Sequence, residues 1–139
     1  MKKLLIAFSL LLCANTFIFA QKSEIKDLDT KTFKQLIGDF QADKQFQFVG
    51  ETPVVIAFYA VWCGPCRKLI PELLSLQSDY GEKVHFYRID VDKEKELARL
   101  FGVQSLPTIV LMNHPTQYSS MLGYRDREAL RRIIDFRFF

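Results

Sequence analysis

The sequence contains few residues of the kinds that bind metals or form disulfides, with three cysteines and two histidines among 139 residues. A structural zinc site usually needs four ligands, often two cysteine pairs or one cysteine pair with two histidines. His85 lies in a predicted strand and His114 stands beside Pro115 in a predicted turn, and neither has the spacing of a zinc ligand. We therefore predict no metal site and no cofactor.

The sequence also lacks an excess of one charge, long repeats, low-complexity tracts and an extended linker. It carries 19 Lys and Arg against 16 Asp and Glu. Lys2 and Lys3 lie in a segment that we expect to be removed, and their loss leaves 17 basic residues, a formal charge of +1. This near balance gives no reason to expect a nucleic acid or a membrane surface as a partner. The remaining length suits one domain.

The first twenty residues read "MKKLLIAFSLLLCANTFIFA". A charged start, an apolar core and a small residue at Ala20 are the features of a secretory signal peptide. We therefore predict a signal peptide over residues 1–20 and one domain over residues 21–139. An uncleaved anchor is the alternative, but a bilayer span needs about 20 apolar residues and this run is shorter. No membrane span is expected after cleavage.

Cys13 lies within the predicted signal peptide, so the mature chain keeps two cysteines. A lipoprotein signal would carry small residues before its cysteine, whereas Leu11 and Leu12 precede Cys13. We expect export, most simply to a bacterial-type periplasm. In such an oxidising compartment, free thiols must be kept reduced actively.

Patterns of strands and helices alternate along the rest of the chain. The run "PVVIAFYA" is continuous and rich in β-branched residues, which is typical of a strand buried on both faces. Asp29, Asp92 and Asp126 are candidate helix caps, and Pro71 should kink the helix that contains it. Strand and helix alternation followed by a hairpin and a helix predicts an α/β fold, with a mixed central β-sheet flanked by helices on both faces. The predicted strands are 53–60, 83–91, 107–112 and 118–122, with a weak strand or irregular segment at 39–51; the predicted helices are 30–38, one from about 64, 93–101 and one after 126.

Cys63 and Cys66 bracket Gly64 and Pro65 at the predicted start of a helix. The first turn of a helix has backbone N–H groups without partners, and the helix dipole favours negative charge there, so a thiolate at Cys63 is stabilised. Cys66 lies one turn further on the same face, close enough to form a disulfide. Such a small loop adds little stability as a purely structural disulfide, and half of a metal site lacks its other ligands. A pair that cycles between dithiol and disulfide is the interpretation that uses every feature.

The segment "WCGPC" after a buried strand resembles the active site of thioredoxins, and the resemblance covers most of residues 24–139. Pro71 matches the kinking proline of that family, the "LPT" segment at 106–108 matches its cis-proline loop, and Gly123 matches the glycine of its substrate groove. The resemblance implies the thioredoxin fold.

The resemblance also implies roles for these residues in a thiol-disulfide oxidoreductase. Cys63 would be the accessible nucleophile and Cys66 the shielded, resolving thiol, the two forming a disulfide during each cycle. Disulfide-containing proteins would be the clients, and an upstream thiol donor would supply electrons. The residues that would bind substrate are Trp62, Gly64, Pro65, Leu106, Pro107 in the cis state and Gly123.

Two residues depart from the pattern of the family. Ala57 replaces a buried aspartate that could accept a proton from the second cysteine, and Arg88 corresponds to a lysine that approaches that acid. The Gly-Pro dipeptide favours reduction or shuffling of protein disulfides by resemblance. A disulfide-donating oxidase and a non-catalytic binding module, with the terminal "DFRFF" as a contact, are the alternatives.

Overall fold

The computed structural model describes residues 24–40 and 45–139. The predicted signal peptide lies outside the described residues and stays a prediction. The strands are β1 (Lys26–Asp27), β2 (Gly38–Phe40), β3 (Phe46–Phe48), β4 (Val54–Tyr59), β5 (His85–Asp90), β6 (Thr108–His114) and β7 (Gln117–Leu122), and the α-helices are α1 (Thr30–Leu36), α2 (Gly64–Tyr80), α3 (Lys95–Leu100) and α4 (Arg127–Phe138).

The main sheet has five strands in the order β1-β5-β4-β6-β7. Strands β1, β5 and β4 are parallel, whereas β6 and β7 are antiparallel to their neighbours. The central strand β4 is buried from Val54 to Phe58, because other strands cover both of its edges and helices cover both of its faces. Its carboxyl end leads into the turn that precedes α2.

Helices pack on both faces of this sheet and form two hydrophobic layers. On one face α2 and α4 pack against Val55 and Ala57 of β4. On the other face α1 and α3 contact a cluster rich in aromatic rings. The predicted mixed sheet with helices on both faces is therefore confirmed. The rings within 6 Å of the Phe101 ring centroid belong to Phe33, Phe40, Phe46, Phe58 and Tyr118.

Two of the three predicted helix caps are confirmed. Asp29 Oδ1 accepts a hydrogen bond from the backbone N–H of Thr32 at 2.7 Å, and Thr32 Oγ1 accepts one from the N–H of Asp29 at 3.0 Å. These reciprocal bonds form a capping box. Asp126 Oδ1 accepts from the N–H of Ala129 at 2.8 Å and caps α4 in the same way.

The prediction that Asp92 caps a helix is wrong. Residues 91–93 form a turn in which the carbonyl of Asp90 accepts from the N–H groups of Lys93 and Glu94. The Asp90 carboxylate also accepts from the N–H of Asp92 at 3.0 Å. Because this turn uses the first free amides, α3 begins only at Lys95, and Glu94 at its N-cap makes no capping bond with its side chain.

The pairing of strands defines two regions that the sequence predicted only in outline. The segment predicted as a weak strand or irregular at 39–51 contributes to an antiparallel pair of short strands, β2 and β3. Gly38 opens it at φ 146°, where a Cβ would lie 1.9 Å from the carbonyl oxygen of Gln47, so the position requires glycine. Strands β6 and β7 pair up to His114 and Gln117, which leaves a turn of two residues. No helix of the described residues has the length and apolar character needed to span a bilayer.

Candidate active site

Cys63 lies at the junction between the turn after β4 and the start of α2. Its N–H donates to the carbonyl of Ala60 at 3.1 Å, which closes the turn. Its sulfur occupies the N-cap position and accepts a hydrogen bond from the N–H of Cys66 at 3.3 Å. Pro65 fits the first turn because the N–H that it lacks would have no partner within the helix. The local sequence therefore places a reactive sulfur at the positive end of α2.

Cys63 and Cys66 form a disulfide, with a Cα–Cα distance of 5.3 Å. Cys63 is 5 % exposed and Cys66 is 2 % exposed. Cys63 is thus more buried than the sequence led us to expect, because Ala60, Leu106 and the ends of the neighbouring strands pack around the pair. The two sulfurs still differ in access, since Cys63 lines an open cavity whose lining does not include Cys66.

A cavity of about 440 Å³ opens beside Cys63. It brings together five residues that the sequence assigned to the site, namely Trp62, Cys63, Gly64, Pro65 and Leu106. Its opposite wall was not predicted. That wall comes from the turn after β5, from α3 and from the loop before β6. The one signal for it in the sequence was that the loop directly precedes Leu106, which the resemblance had assigned to the site. The residues of this wall are Val91, Ala98, Val103, Gln104 and Ser105.

Pro107 and Gly123 lie together, outside the lining of this cavity. The Leu106–Pro107 peptide bond is cis, and the N–H of Gly123 donates to the carbonyl of Pro107 at 2.8 Å. Thr108 Oγ1 donates to the carbonyl of Ser105 at 2.7 Å and closes the loop around Leu106. These bonds fix the backbone beside the cysteine pair.

Trp62 stands on the rim of the cavity with 66 % of its surface exposed. Its indole Nε1 donates to Asp92 Oδ2 at 2.8 Å. Asp92, predicted as a helix cap, therefore orients this ring instead. The ring presents an apolar face beside Cys63 while its polar edge is satisfied.

Ala57 lies in the hydrophobic layer that packs against α2 and offers no carboxylate to the cysteine pair. Arg88 pairs with Ala57 in the β4–β5 register, but its guanidinium donates to Asp27 Oδ1 and Oδ2 at 2.9 and 2.7 Å. The same guanidinium lies 5.0 Å from the ring centroid of Tyr59, and the Tyr59 hydroxyl donates to Asp27 at 2.9 Å. Hydrogen bonding to Asp27 raises the pKa of Arg88. Burial, with a contribution from Asp27, raises the pKa of Tyr59 to about 12.

Comparisons with known proteins agree with this geometry. Residues 24–136 match the Thioredoxin family model. The thioredoxin of Borreliella burgdorferi is 36 % identical over 107 residues, covering 77 % of this chain and 92 % of that protein. The thioredoxin of Bacillus subtilis is 34 % identical over 94 residues, covering 67 % and 90 %. The solved structure of oxidised mitochondrial thioredoxin 3 from Saccharomyces cerevisiae is similar with a TM-score of 0.64 at 28 % identity, covering 81 % of this chain and 94 % of that one.

The family match, the fold and the Cys63–Cys66 pair at the start of α2 all indicate the same chemistry, the exchange of thiols and disulfides. The chain belongs to the thioredoxin family and is a thiol-disulfide oxidoreductase.

Proposed function

We propose that the protein reduces or shuffles disulfides of other exported proteins, with Cys63 as the nucleophile and Cys66 as the resolving thiol. The observation that carries this proposal is the position of Cys63, which caps α2 and lines the cavity while Cys66 is shielded behind it. A thiolate at Cys63 accepts a hydrogen bond from the N–H of Cys66 and lies at the positive end of the helix dipole, and both stabilise its negative charge.

The reaction proceeds by two exchanges. The Cys63 thiolate attacks one sulfur of the client disulfide, that bond breaks, and the departing client thiolate takes up a proton. Cys66 then loses its proton and attacks the Cys63 sulfur, which releases the second client thiol. The pair gives two electrons to the client and becomes the Cys63–Cys66 disulfide. The two client thiolates take up two protons, which balance the one lost by Cys66 and the one released to solvent when the Cys63 thiolate formed. An upstream thiol donor restores the dithiol.

The walls of the cavity suit an extended client segment. Leu106 offers backbone polar groups next to the cysteine pair, and Pro107 has no N–H to compete for the sulfurs. Trp62 supplies an exposed apolar ring held by Asp92. We assign substrate contact to these three residues, to Gly64 and Pro65 on the α2 side, and to Gly123, which fixes Pro107 through its hydrogen bond.

The proposed compartment and direction rest on the sequence. The signal-peptide pattern at residues 1–20 supports export, and the Gly-Pro dipeptide supports a reducing role. Amino-terminal sequencing of the mature chain, recovered from the periplasm of an expressing bacterium, should begin near Gln21. A full-length chain confined to the cytoplasm would contradict export. Equilibration of Cys63–Cys66 with glutathione should show a strongly reducing pair, and a strongly oxidising pair would favour the disulfide-donating oxidase.

Trapping of mixed disulfides tests the assignment of the two cysteines. A reduced Cys66→Ser variant should accumulate mixed disulfides with insulin through Cys63, because the second exchange is blocked. The matched Cys63→Ser variant should accumulate almost none. Equal trapping by both variants would contradict the assigned roles. Failure of the unmodified protein to reduce insulin would favour the non-catalytic binding module.

A further inference from the structure

Two arginine side chains each lie close to a glycine near the cysteine pair. An ideal Cβ placed on Gly64 would lie 4.0 Å from Arg67 Nη2, and one placed on Gly123 would lie 3.6 Å from Arg125 Nη1. Gly64 follows Cys63 directly, and Gly123 is bonded to the loop at Pro107. One guanidinium group therefore lies beside the residue that follows Cys63, and the other lies beside the glycine that is bonded to the Pro107 loop.

Backbone carbonyls hold both guanidinium groups without neutralising them. Arg67 Nη1 donates to the carbonyl of Val61 at 3.3 Å, and Arg125 Nη1 donates to that of Tyr124 at 2.8 Å. Within residues 24–40 and 45–139, neither arginine has a carboxylate partner within 4.0 Å, and both are exposed. Their positive charge is thus available to a bound segment.

Three carboxylates lie beside residues of this region, but among the described residues none of them forms an ion pair with Arg67 or Arg125. The lining of the cavity is uncharged. Asp92 lies beside Trp62, and its carboxylate accepts a hydrogen bond from the indole N–H. Glu72 accepts the Tyr124 hydroxyl at 2.9 Å, and Asp126 caps α4. A segment bound beside the cysteine pair and the Pro107 loop can therefore reach two guanidinium groups that have no carboxylate partner among the described residues.

We propose that Arg67 and Arg125 select client disulfides that carry Asp or Glu next to the attacked cysteine. The proposal rests on the reductase function argued above and specifies its substrate class. Guanidinium groups form charge-assisted hydrogen bonds with carboxylates, and fixed positive charge raises the encounter rate of acidic segments at low ionic strength. Neutral or basic segments gain neither effect.

The test uses three synthetic peptides that share one intramolecular disulfide. Glu, Gln or Lys flanks the cysteines, and all other residues are identical. The second-order rate constant of peptide reduction by the pre-reduced protein is measured in single turnover at low salt. The Glu peptide should react fastest and the Lys peptide slowest, with an effect of about 1.4-fold to fivefold for each arginine, the range of an exposed ion pair. In about 0.5 M sodium chloride the Glu-to-Lys ratio should approach one, because the charges are screened.

Two double variants test whether the two arginines cause the difference between the peptides. The Glu-to-Lys ratio of rate constants should fall toward one in R67Q/R125Q and persist in R67K/R125K, which keeps the charge. Because the ratio is taken within each protein, a general loss of rate cancels. The matched control is R132Q/R137Q, which removes the same charge from exposed positions on α4. Arg137 lies far from the cysteine pair, since its carbonyl binds Asn113 near the opposite end of β6 from Thr108. The control should keep the ratio of the unmodified protein.

The outcomes separate this inference from the function on which it rests. Equal reduction of all three peptides by the unmodified protein would overturn the charge selection and leave the reductase function standing. A ratio that survives in R67Q/R125Q, or that disappears in R132Q/R137Q, would also overturn it. No reduction of any peptide, with insulin also left unreduced, would overturn the proposed function itself.

Discussion

Arg88 lies opposite Ala57 in the register of two central strands, yet its guanidinium binds both carboxylate oxygens of Asp27. The charge of Arg88 is therefore compensated on the β1 side of the sheet. Nothing at Ala57, which is fully buried, can accept the proton that Cys66 must lose in the second exchange.

We predict that Ala57→Asp speeds the release of the mixed disulfide near neutral pH, because a carboxylate behind Cys66 can accept its proton. The buried carboxyl should lower the free energy of unfolding by about 1–3 kcal/mol. Release is measured by quenching the reaction of the reduced variant with a disulfide peptide. Ala57→Asn is the matched control, since it adds a similar side chain that cannot act as the base. Equal release by the Asp and Asn variants would show that proton acceptance at this position does not limit the reaction.

The second prediction concerns Tyr59, whose pKa is raised to about 12 by burial and by its hydrogen bond to Asp27. The folded state favours the neutral phenol, so its contribution to stability is complete below the ordinary pKa of about 10 and is lost as pH rises toward 12. The tyrosinate absorbance of the protein minus that of Tyr59→Phe should titrate near this value. In Asp27→Asn the midpoint should fall but stay above 10, because burial, the largest cause, is retained. An unchanged midpoint would contradict the assigned role of Asp27.

The third prediction is that iodoacetamide modifies Cys63 before Cys66 in the reduced protein near neutral pH. Cys63 lines the cavity, whereas Cys66 is shielded behind it. Peptide mapping after partial alkylation gives the order of modification. The Cys66→Ser variant should react at the rate of the unmodified protein, and Cys63→Ser should react far more slowly. Preferential labelling of Cys66 would reverse the assignment of nucleophile and resolving thiol.

The fourth prediction concerns the aromatic layer around Phe101, which packs against five other rings and is 6 % exposed. Phe101→Ala should lower the free energy of unfolding by about 3–5 kcal/mol, because it removes buried apolar surface and leaves a cavity. Phe136 is 86 % exposed, so Phe136→Ala should change the free energy of unfolding by no more than about 0.5 kcal/mol. Urea denaturation of the oxidised proteins measures both values. Equal effects would mean that Phe101 does not carry the packing assigned to it.

Features of the structure that depend on residues close together in the chain could be predicted from the sequence. Asp29 and Asp126 cap helices through amides three residues further along the chain. The unbroken apolar run at 53–60 predicted the buried strand β4. The cysteine pair lies within one turn, so its geometry followed once a helix start was placed there.

Contacts between residues far apart in the chain could not be predicted in this way. Asp92 had the composition of a helix cap, but its carboxylate binds Trp62, thirty positions earlier. The two-residue strand β1 has no periodicity of its own. It pairs with β5 of the sheet, where Asp27 lies beside Arg88 and the two side chains form a hydrogen bond. The far wall of the cavity comes from residues whose types carry no chemical signal, such as Val91 and Ala98.

The sulfur of Cys63 serves both as the reacting atom and as the acceptor that caps α2. An anionic sulfur is a stronger acceptor than a sulfur in a disulfide, so each turnover alters how firmly the first turn of the helix is closed. The solvent exchange of the Cys66 amide hydrogen should therefore be slower in the dithiol state than in the disulfide state. The backbone then reports the redox state of the site without a probe attached to either cysteine.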